Sequence, residues 1–435
     1  MNMTFNFDNK YDKKNSDERI IEAIKFLIEQ YTFATMKDTN EIYHYDSDRG
    51  IYVKGGDVFI KKELAAMHAY IPSHHVNEII NTIKSKTYTD RKEFDSNIEW
   101  LACKDCMINL KTGEIKPHSP DFMATIQIPV SYRNSFDSQN QFSCPRIMKF
   151  LNEIVSDRRD VDTILDFLAY ALWREMKYHK LLLLEGDGRN GKGTLCKVIT
   201  RLFGYENVSS ESLDQLLNGR FSSSQLNGKL VNIDADISKA ISKKLGMLKK
   251  LTGNDQISAE EKFKSSFNFV NHAKLILVTN ELPEIKEDTI AIFSRLLIIN
   301  FSKTFIKNAN PNLVEELTTE QELSGLLHIL LKRLPRVLKT GISYSKSIES
   351  LEQYQLRMNP VKYFSDTYLE KVSESKVKKE IVYNKFKEYC YKNKITPKPE
   401  NKFSQDMIRM GFEYRQLRDG SSFRSYYWIN LRMKG

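Results

Sequence analysis

Long hydrophobic runs are missing: no stretch of the 435 residues approaches the roughly 18 apolar positions needed to cross a bilayer, so no membrane partner is expected. The start, Met1-Asn2-Met3-Thr4-Phe5-Asn6-Phe7-Asp8, has neither the basic head nor the apolar core of a signal peptide. Cysteine is scarce, and five thiols, an odd number, make no disulfide framework. The expectation is a cytoplasmic, reducing setting, in a prokaryotic cell or an infected host. Metal-ligand sets are also incomplete. Cys103-Lys104-Asp105-Cys106 has the spacing of half a zinc site, but only Cys144 and His118 lie nearby and no second pair exists. These thiols therefore read as small apolar residues, and His74-His75 reads as a solvated pair. An acidic excess is absent too: 66 Lys and Arg face 56 Asp and Glu, a net charge of +10 that suits a polyanionic partner. What remains, 41% hydrophobic and 28% charged residues, is an ordinary globular composition long enough for about three domains.

Helical periodicity opens the chain at Asn15, with Glu18 as a capping-box partner and Ile20, Ile24, Leu27 and Tyr31 on one face. Glu41–Asp46 and Gly50–Val53 alternate as a hairpin, helical patterns run between Phe59 and Ser85, and short strands follow from Met107 to Val130. Residues 1–140 are thus expected to form an α+β module whose task the sequence does not declare. From Cys144 to Lys177 two helical patterns form a collar or linker, 141–178.

The collar leads into Leu181-Leu182-Leu183-Leu184 and then Gly186-Asp187-Gly188-Arg189-Asn190-Gly191-Lys192-Gly193-Thr194, followed by a helical run to Phe203. A strand, a glycine-rich turn and a helix are the context of a phosphate-binding loop. Backbone N–H groups close around a polyphosphate, and a lysine, here Lys192, reaches its outer phosphates. Gly193 stands where a Ser or Thr would hold magnesium, and Thr194 follows one place later. The plain alternative is a glycine-rich turn with a chance lysine, which the strand and helix argue against.

Downstream, Leu230–Asp236 reads as an apolar strand ending in Asp234 and Asp236, which alternation would turn to the same side. One carboxylate would approach magnesium and another would polarise the attacking water. Alternatively they are surface aspartates at a strand end. A further strand, Ala273–Asn280, ends in a polar residue suited to sensing the outer phosphate. Arg295 precedes the strand Leu296–Phe301, either as an arginine finger reaching a neighbouring subunit or as an ordinary surface arginine. Ile257–Glu261 and Phe267–Val270 would flank a tip, Lys262-Phe263-Lys264-Ser265-Ser266. Its cation–aromatic–cation order suits one strand of nucleic acid, though alone it would read as a solvated turn.

In this order and spacing, Gly186–Thr194, Gly228–Asp236, Lys249–Asp255, Lys274–Asn280 and Phe293–Phe301 resemble the superfamily 3 helicases, in the poxvirus-type branch of phage and plasmid primase-helicases. The resemblance covers roughly residues 100 to 435 and implies an α/β fold: a P-loop, AAA+-type ATPase core with an N-terminal module, a helical collar and a C-terminal winged helix. It implies ATP bound at Gly186–Thr194, with Mg2+ held by Thr194, Asp234 and Asp236. It further implies Lys192, Asp234, Asp236, Asn280 and Arg295 as catalytic residues, Arg295 acting in trans in a hexamer. Lys262, Phe263 and Lys264 would line the ring's central channel on single-stranded or forked DNA. The sequence departs from the family at Gly193, in the spaced aspartates, and in showing no recognisable primase domain, so any priming would need a separate partner chain or a site the motifs do not mark.

The ATPase domain is expected over 179–310, a helical segment over 311–358 and the winged helix over 359–435. Residues 360–435 carry 17 Lys and Arg against 9 Asp and Glu, so +8 of the net charge lies there. Lys378–Tyr391 is amphipathic, and Lys402–Met410 is a candidate recognition helix carrying Lys402, Gln405 and Arg409. Phe412–Leu417 and Phe423–Ile429 would form a wing around 418–422, with Arg418 and Arg424 on phosphates. A basic but purely structural cap is the alternative, and the resemblance favours DNA. The function expected is an ATP-dependent DNA helicase of a mobile element; the other reading is a nucleotide-switched initiator or DNA-binding scaffold with little turnover.

Overall fold

A computed structural model describes residues 13–67, 71–132, 143–237, 240–241, 245–260, 262, 266–285, 290–305, 310–418 and 424–434. The chain divides into two compact units, Met1–Ser347 and Ile348–Gly435.

The first unit opens with α1 (Lys13–Gln30), β1 (Phe33–Met36), β2 (Glu41–Asp46), β3 (Ile51–Lys54), α2 (Gly56–Met67), α3 (Ser73–Lys86) and β4 (Tyr88–Thr89). The predicted hairpin is present as β2–β3, within a sheet ordered β3-β2-β1-β4. The first helix begins at Lys13, two residues before the Asn15 start. Apolar faces of the three helices, among them Leu27, Ile60 and Ile83, close on Phe33 and Ile42. A second small sheet, ordered β7-β6-β5-β8, joins β5 (Trp100–Cys103), β6 (Met107–Asn109), β7 (Ile115–Lys116) and β8 (Gln127–Ile128). Cys103 and Cys106 are fully buried there, and the hydrogen bond with Cys106 and burial push the Cys103 thiol pKa well up.

Two helices follow, α4 (Pro145–Ile154) and α5 (Arg158–Ala171). On α4, Ile147, Phe150, Leu151 and Ile154 recur at helical spacing and are all buried. Then come β9 (Leu181–Glu185), α6 (Lys192–Phe203), β10 (Val208–Ser209), α7 (Leu213–Asn218), β11 (Val231–Asp234), β12 (Ala240–Ile241), α8 (Leu245–Leu251), β13 (Gln256–Ala259), β14 (Phe267–Val270), β15 (Lys274–Thr279), β16 (Glu284–Ile285), α9 (Ile290–Phe293) and β17 (Leu296–Asn300). Five of these strands make a wholly parallel sheet ordered β10-β11-β15-β9-β17. The runs Leu181–Leu184, Lys274–Thr279 and Leu296–Ile299 are buried along their length, as a sheet covered on both faces requires. Helices α10 (Leu313–Leu317) and α11 (Glu320–Thr340) complete the unit, α11 laying Leu326, Leu327, Leu330, Leu334 and Val337 into the core. One continuous core runs from β5 and β6 through α4, α5 and the parallel sheet to α11.

Helix α12 (Ser345–Met358) leads to the second unit: α13 (Pro360–Tyr368), β18 (Leu369–Lys378), α14 (Lys379–Lys392), α15 (Glu400–Arg409), β19 (Glu413–Arg418) and β20 (Arg424–Met433). The three strands form an antiparallel sheet ordered β18-β20-β19. Its helices meet on a ring cluster in which Phe386 lies 5.4 Å from Phe364 and 4.6 Å from Phe403, centroid to centroid.

Candidate functional site

Parallel strands end together, and the crevice beyond their carboxyl ends is where such sheets bind ligands. Here β9 runs into the glycine-rich loop, β15 beside it runs into Asn280, and β11 beyond that ends at Asp234. Adjacent strands stand about 4.8 Å apart, so β9 and β11 are separated by roughly 10 Å, with the tip of β15 between them.

The loop is braced from both sides. Gly186 N–H donates to the Thr279 carbonyl at 3.2 Å, Asn190 Nδ2 to the Phe301 carbonyl at 3.2 Å, and Phe305 N–H to the Arg189 carbonyl at 2.8 Å. A Cβ at Gly186 would overlap Asn190 Nδ2 and the Phe301 carbonyl. Gly191, with φ +91°, precedes α6, and its Cβ would lie 2.5 Å from Ile154 Cγ2. Both glycines are thus imposed by close approach as well as by backbone angle. Beyond Gly191 the first N–H groups of α6 have no intrahelical acceptor, which leaves an anion-binding end.

Lys192 is buried, and its ammonium turns back to donate to the Gly186 carbonyl and, at 3.1 Å, to Asn190 Oδ1. Burial lowers its pKa from the ordinary lysine value, opposed by Asp187, Cys196 and Glu185. Gly193 is exposed, and a Cβ there would meet nothing within 4 Å. Thr194 is half-buried in the first turn of α6.

Asp234 and Asp236 do not share a strand face. The strand stops at Asp234, and Asp236 N–H bends back to Asp234 Oδ1 at 3.3 Å, so alternation along an extended chain does not reach Asp236. Asp234 is buried and its Oδ2 accepts Leu213 N–H at 2.6 Å, whereas Asp236 is exposed. Asn280 is exposed immediately past β15, one residue after Thr279, which pairs with Glu185 at the foot of the loop.

Arg295 lies at the other end of the sheet. Its carbonyl accepts Leu181 N–H at 2.9 Å, and its Nε donates to Thr252 Oγ1 at 3.0 Å. Leu181 opens β9 and the loop follows Glu185, so the length of the strand, about 16 Å, separates Arg295 from the loop of its own chain. The predicted hairpin is present as β13–β14, with Ile257, Ala259, Phe267 and Phe269 inward. Lys262 is exposed at its turn; Phe263 and Lys264 lie outside the described residues. In the second unit Lys402 and Arg409 are exposed on α15, and Arg418 and Arg424 are exposed opposite each other on β19 and β20. Among the described residues no group of three or more His, Cys, Asp and Glu is placed to hold a metal ion, and no helix is long and apolar enough to cross a membrane.

Sequence reasoning passed over a pair of buried cations behind the site. Lys274, the first residue of β15, donates to the carbonyls of Trp173 (2.6 Å), Glu175 (2.9 Å) and His272 (2.9 Å), above the Tyr170 ring. Arg174 donates to the carbonyls of Asn97 (2.7 Å) and Trp100 (3.1 Å). A lysine opening an otherwise apolar strand was the available signal, since an unpaired cation is almost never buried.

Two family models match the chain. Residues 5–156 match one described as D5 N terminal like, and residues 184–295, which hold the loop, Asp234, Asn280 and Arg295, match a family of unknown function. The first covers the module whose task the sequence left open. Among curated proteins, the chain is 25% identical over 338 residues to "Putative helicase L207/L206" of Acanthamoeba polyphaga mimivirus, covering 71% of this chain and 35% of that protein. It is 26% identical over 294 residues to "Putative helicase V13" of Sputnik virophage, covering 61% and 37%. The chain thus spans about a third of the length of these relatives. Among solved structures, the apo A form of the NrS-1 C-terminal region superposes with a TM-score of 0.51 at 10% identity, over 94% of this chain and 98% of that one. A second apo structure of that region, residues 305–718, gives 0.50 at 11% identity, over 95% and 99%. The D5 N terminal like match covers about a third of the chain, the two curated relatives carry helicase names, and the solved structures share a fold along nearly the whole chain.

Proposed function

We propose that the chain is an ATP-dependent DNA helicase of the superfamily 3 type, acting in replication of a virus or similar mobile element. The observation that carries this reading is the strand order, which gathers the glycine-rich loop, Asn280 and Asp234 at one edge while leaving Arg295 at the other. ATP would supply the phosphoanhydride bond to be broken. The open N–H groups of α6 would hold its phosphates, and Lys192 would exchange Gly186 and Asn190 for them. Thr194, Asp234 and Asp236 offer one hydroxyl and two carboxylates, a hard-oxygen set suited to Mg2+. Asn280 would orient the attacking water. Arg295, too far from its own loop, would serve the loop of a neighbouring copy, which is why a ring, a hexamer in the family it resembles, belongs to this reading. Lys262 and the adjoining Phe263 and Lys264 would meet single-stranded DNA. The order α13, β18, α14, α15, β19, β20 supports a winged helix, with Lys402 and Arg409 on its recognition helix and Arg418 and Arg424 on its wing.

ATPase activity of the full chain tests this. Single-stranded or forked DNA should raise turnover several-fold, and Lys192→Ala should abolish it; brisk hydrolysis indifferent to DNA in rate and assembly would sink the helicase reading. Gly193 favours a second reading, a nucleotide-switched initiator, because the position directly after Lys192 lacks the hydroxyl that would hold magnesium, which weakens its binding. That protein would bind ATP yet hydrolyse it scarcely at all, with or without DNA.

A further inference from the structure

We propose that one face of the β19–β20 hairpin is a stacking platform for an unpaired nucleobase, so that the second unit grips single-stranded DNA; this rests on the DNA-motor reading above. The register pairs Tyr414 with Trp428, Gln416 with Tyr426 and Arg418 with Arg424, which puts all six side chains on one face. At the root of that face Trp428 is fully buried. Further out, Tyr426 is 49% exposed and Tyr414 37% exposed, whereas Tyr427 on the opposite face is only 7% exposed. The two exposed rings stand edge to face, 5.7 Å apart. Lys379, the first residue of α14, sits over them, its Nζ 4.4 Å from the Tyr414 centroid and 5.9 Å from that of Tyr426.

Two large exposed rings need a reason, because burying an aromatic ring is among the larger gains available in folding. The cations around them supply one. Arg418 and Arg424 are directly opposed across the strands, and like charges so placed destabilise a hairpin. A phosphate chain bridging them turns that repulsion into attraction. Rings flanked by cations match a strand whose bases are free, with bases on Tyr414 and Tyr426 and phosphates on Lys379, Arg418 and Arg424. A duplex offers the same phosphates but keeps its base faces stacked, so it would use the arginines and leave the tyrosines idle. The +8 charge of residues 360–435 sets the sign of the partner.

The test uses the full chain without ATP and a single-stranded oligonucleotide carrying 5-iododeoxyuridine, which photocrosslinks to stacked aromatic rings. Adducts should map to Tyr414 or Tyr426. In parallel, fluorescence anisotropy should show Tyr414→Ala and Tyr426→Ala weakening single-strand binding by about 5- to 150-fold, the range for one lost base–aromatic stack. Binding of a blunt duplex should stay within about twofold, and Tyr426→Phe should keep the wild-type single-strand affinity. Arg418→Ala should reduce the salt dependence by about one released counterion. The proposal is overturned if adducts map only elsewhere while the alanine variants bind as wild type. Equal weakening for duplex and single strand would also overturn it, since the face would then be reading phosphates alone. Because no nucleotide is present, failure here leaves Lys192-dependent turnover standing, and failure of the motor reading leaves this binding measurable.

Discussion

Three glycines of the loop look alike in the sequence and differ physically. Gly186 and Gly191 are fixed by positive φ and by atoms that occupy the space of a Cβ. Gly193 has neither constraint, because it sits in the first turn of α6 with open space around it. The fold therefore does not require glycine at 193. Gly193→Ser should be neutral or stabilising by about 0.3–0.5 kcal/mol on helix propensity alone. It should also lower the magnesium concentration needed for half-maximal turnover, because a hydroxyl is restored beside Lys192. Gly191→Ala should cost roughly 1–3 kcal/mol through strain and the Ile154 contact. Urea unfolding and a magnesium titration of both variants separate the two effects; a Gly193→Ser protein with unchanged magnesium dependence would mean Thr194 already supplies the ligand.

At the scale of elements, the bend 172–178 is pinned to β15 by Lys274 and to the Trp100 strand by Arg174, and His272 is caught between these cations. Burial, then Lys274, then Arg174 push the His272 pKa down to about 3, so the folded protein keeps this ring neutral. The unfolded chain takes up the proton near pH 6.5 and the folded protein does not, so the contribution is full above pH 6.5. It is lost progressively as pH falls from there toward 3. Between pH 7.5 and 5.5 this one group should remove about 1.4 kcal/mol of stability. His272→Gln should flatten that slope in urea titrations; an unchanged slope would show that other groups set it. This joint also shows where the sequence stopped being readable. Apolar runs and helical periodicity located β9, β11, β15, β17, the β13–β14 hairpin and the helices α1, α4, α5, α6, α11, α14 and α15, because each carries its own burial pattern; α7 and α13 were not read. Lys274 and Arg174 tie this bend to segments more than seventy residues away through backbone carbonyls, which leave no mark on composition. Strand β18, Leu369–Lys378, was missed for a related reason: its partners lie on β20, and its alternation is masked by Glu370, Lys371, Glu374 and Lys376. Asp236 was misplaced because alternation presumes an extended chain, and the strand had already ended.

At the scale of the whole molecule, the two halves of the candidate site occupy opposite edges of one sheet. Lys192 opens a helix at the carboxyl end of β9, and Arg295 abuts its amino end. No rearrangement short of dismantling β9 and β17, paired along five residues, brings them together within one copy. If both serve turnover, each active centre must draw them from two chains. Mixing inactive variants tests this directly. Lys192→Ala and Arg295→Ala proteins should each be nearly inactive alone. Co-assembled, an interface that takes its loop from an Arg295→Ala copy and its arginine from a Lys192→Ala copy is intact. With random mixing at equal amounts, about a quarter of interfaces are of that kind, so up to roughly a quarter of wild-type ATPase activity should return, provided neighbouring sites need not fire together. Recovery should rise and fall with the mixing ratio, peaking near equality. A mixture that stays as inactive as its components, although native mass spectrometry shows mixed rings, would confine Arg295 to its bond with Thr252 and leave the motor without a shared site.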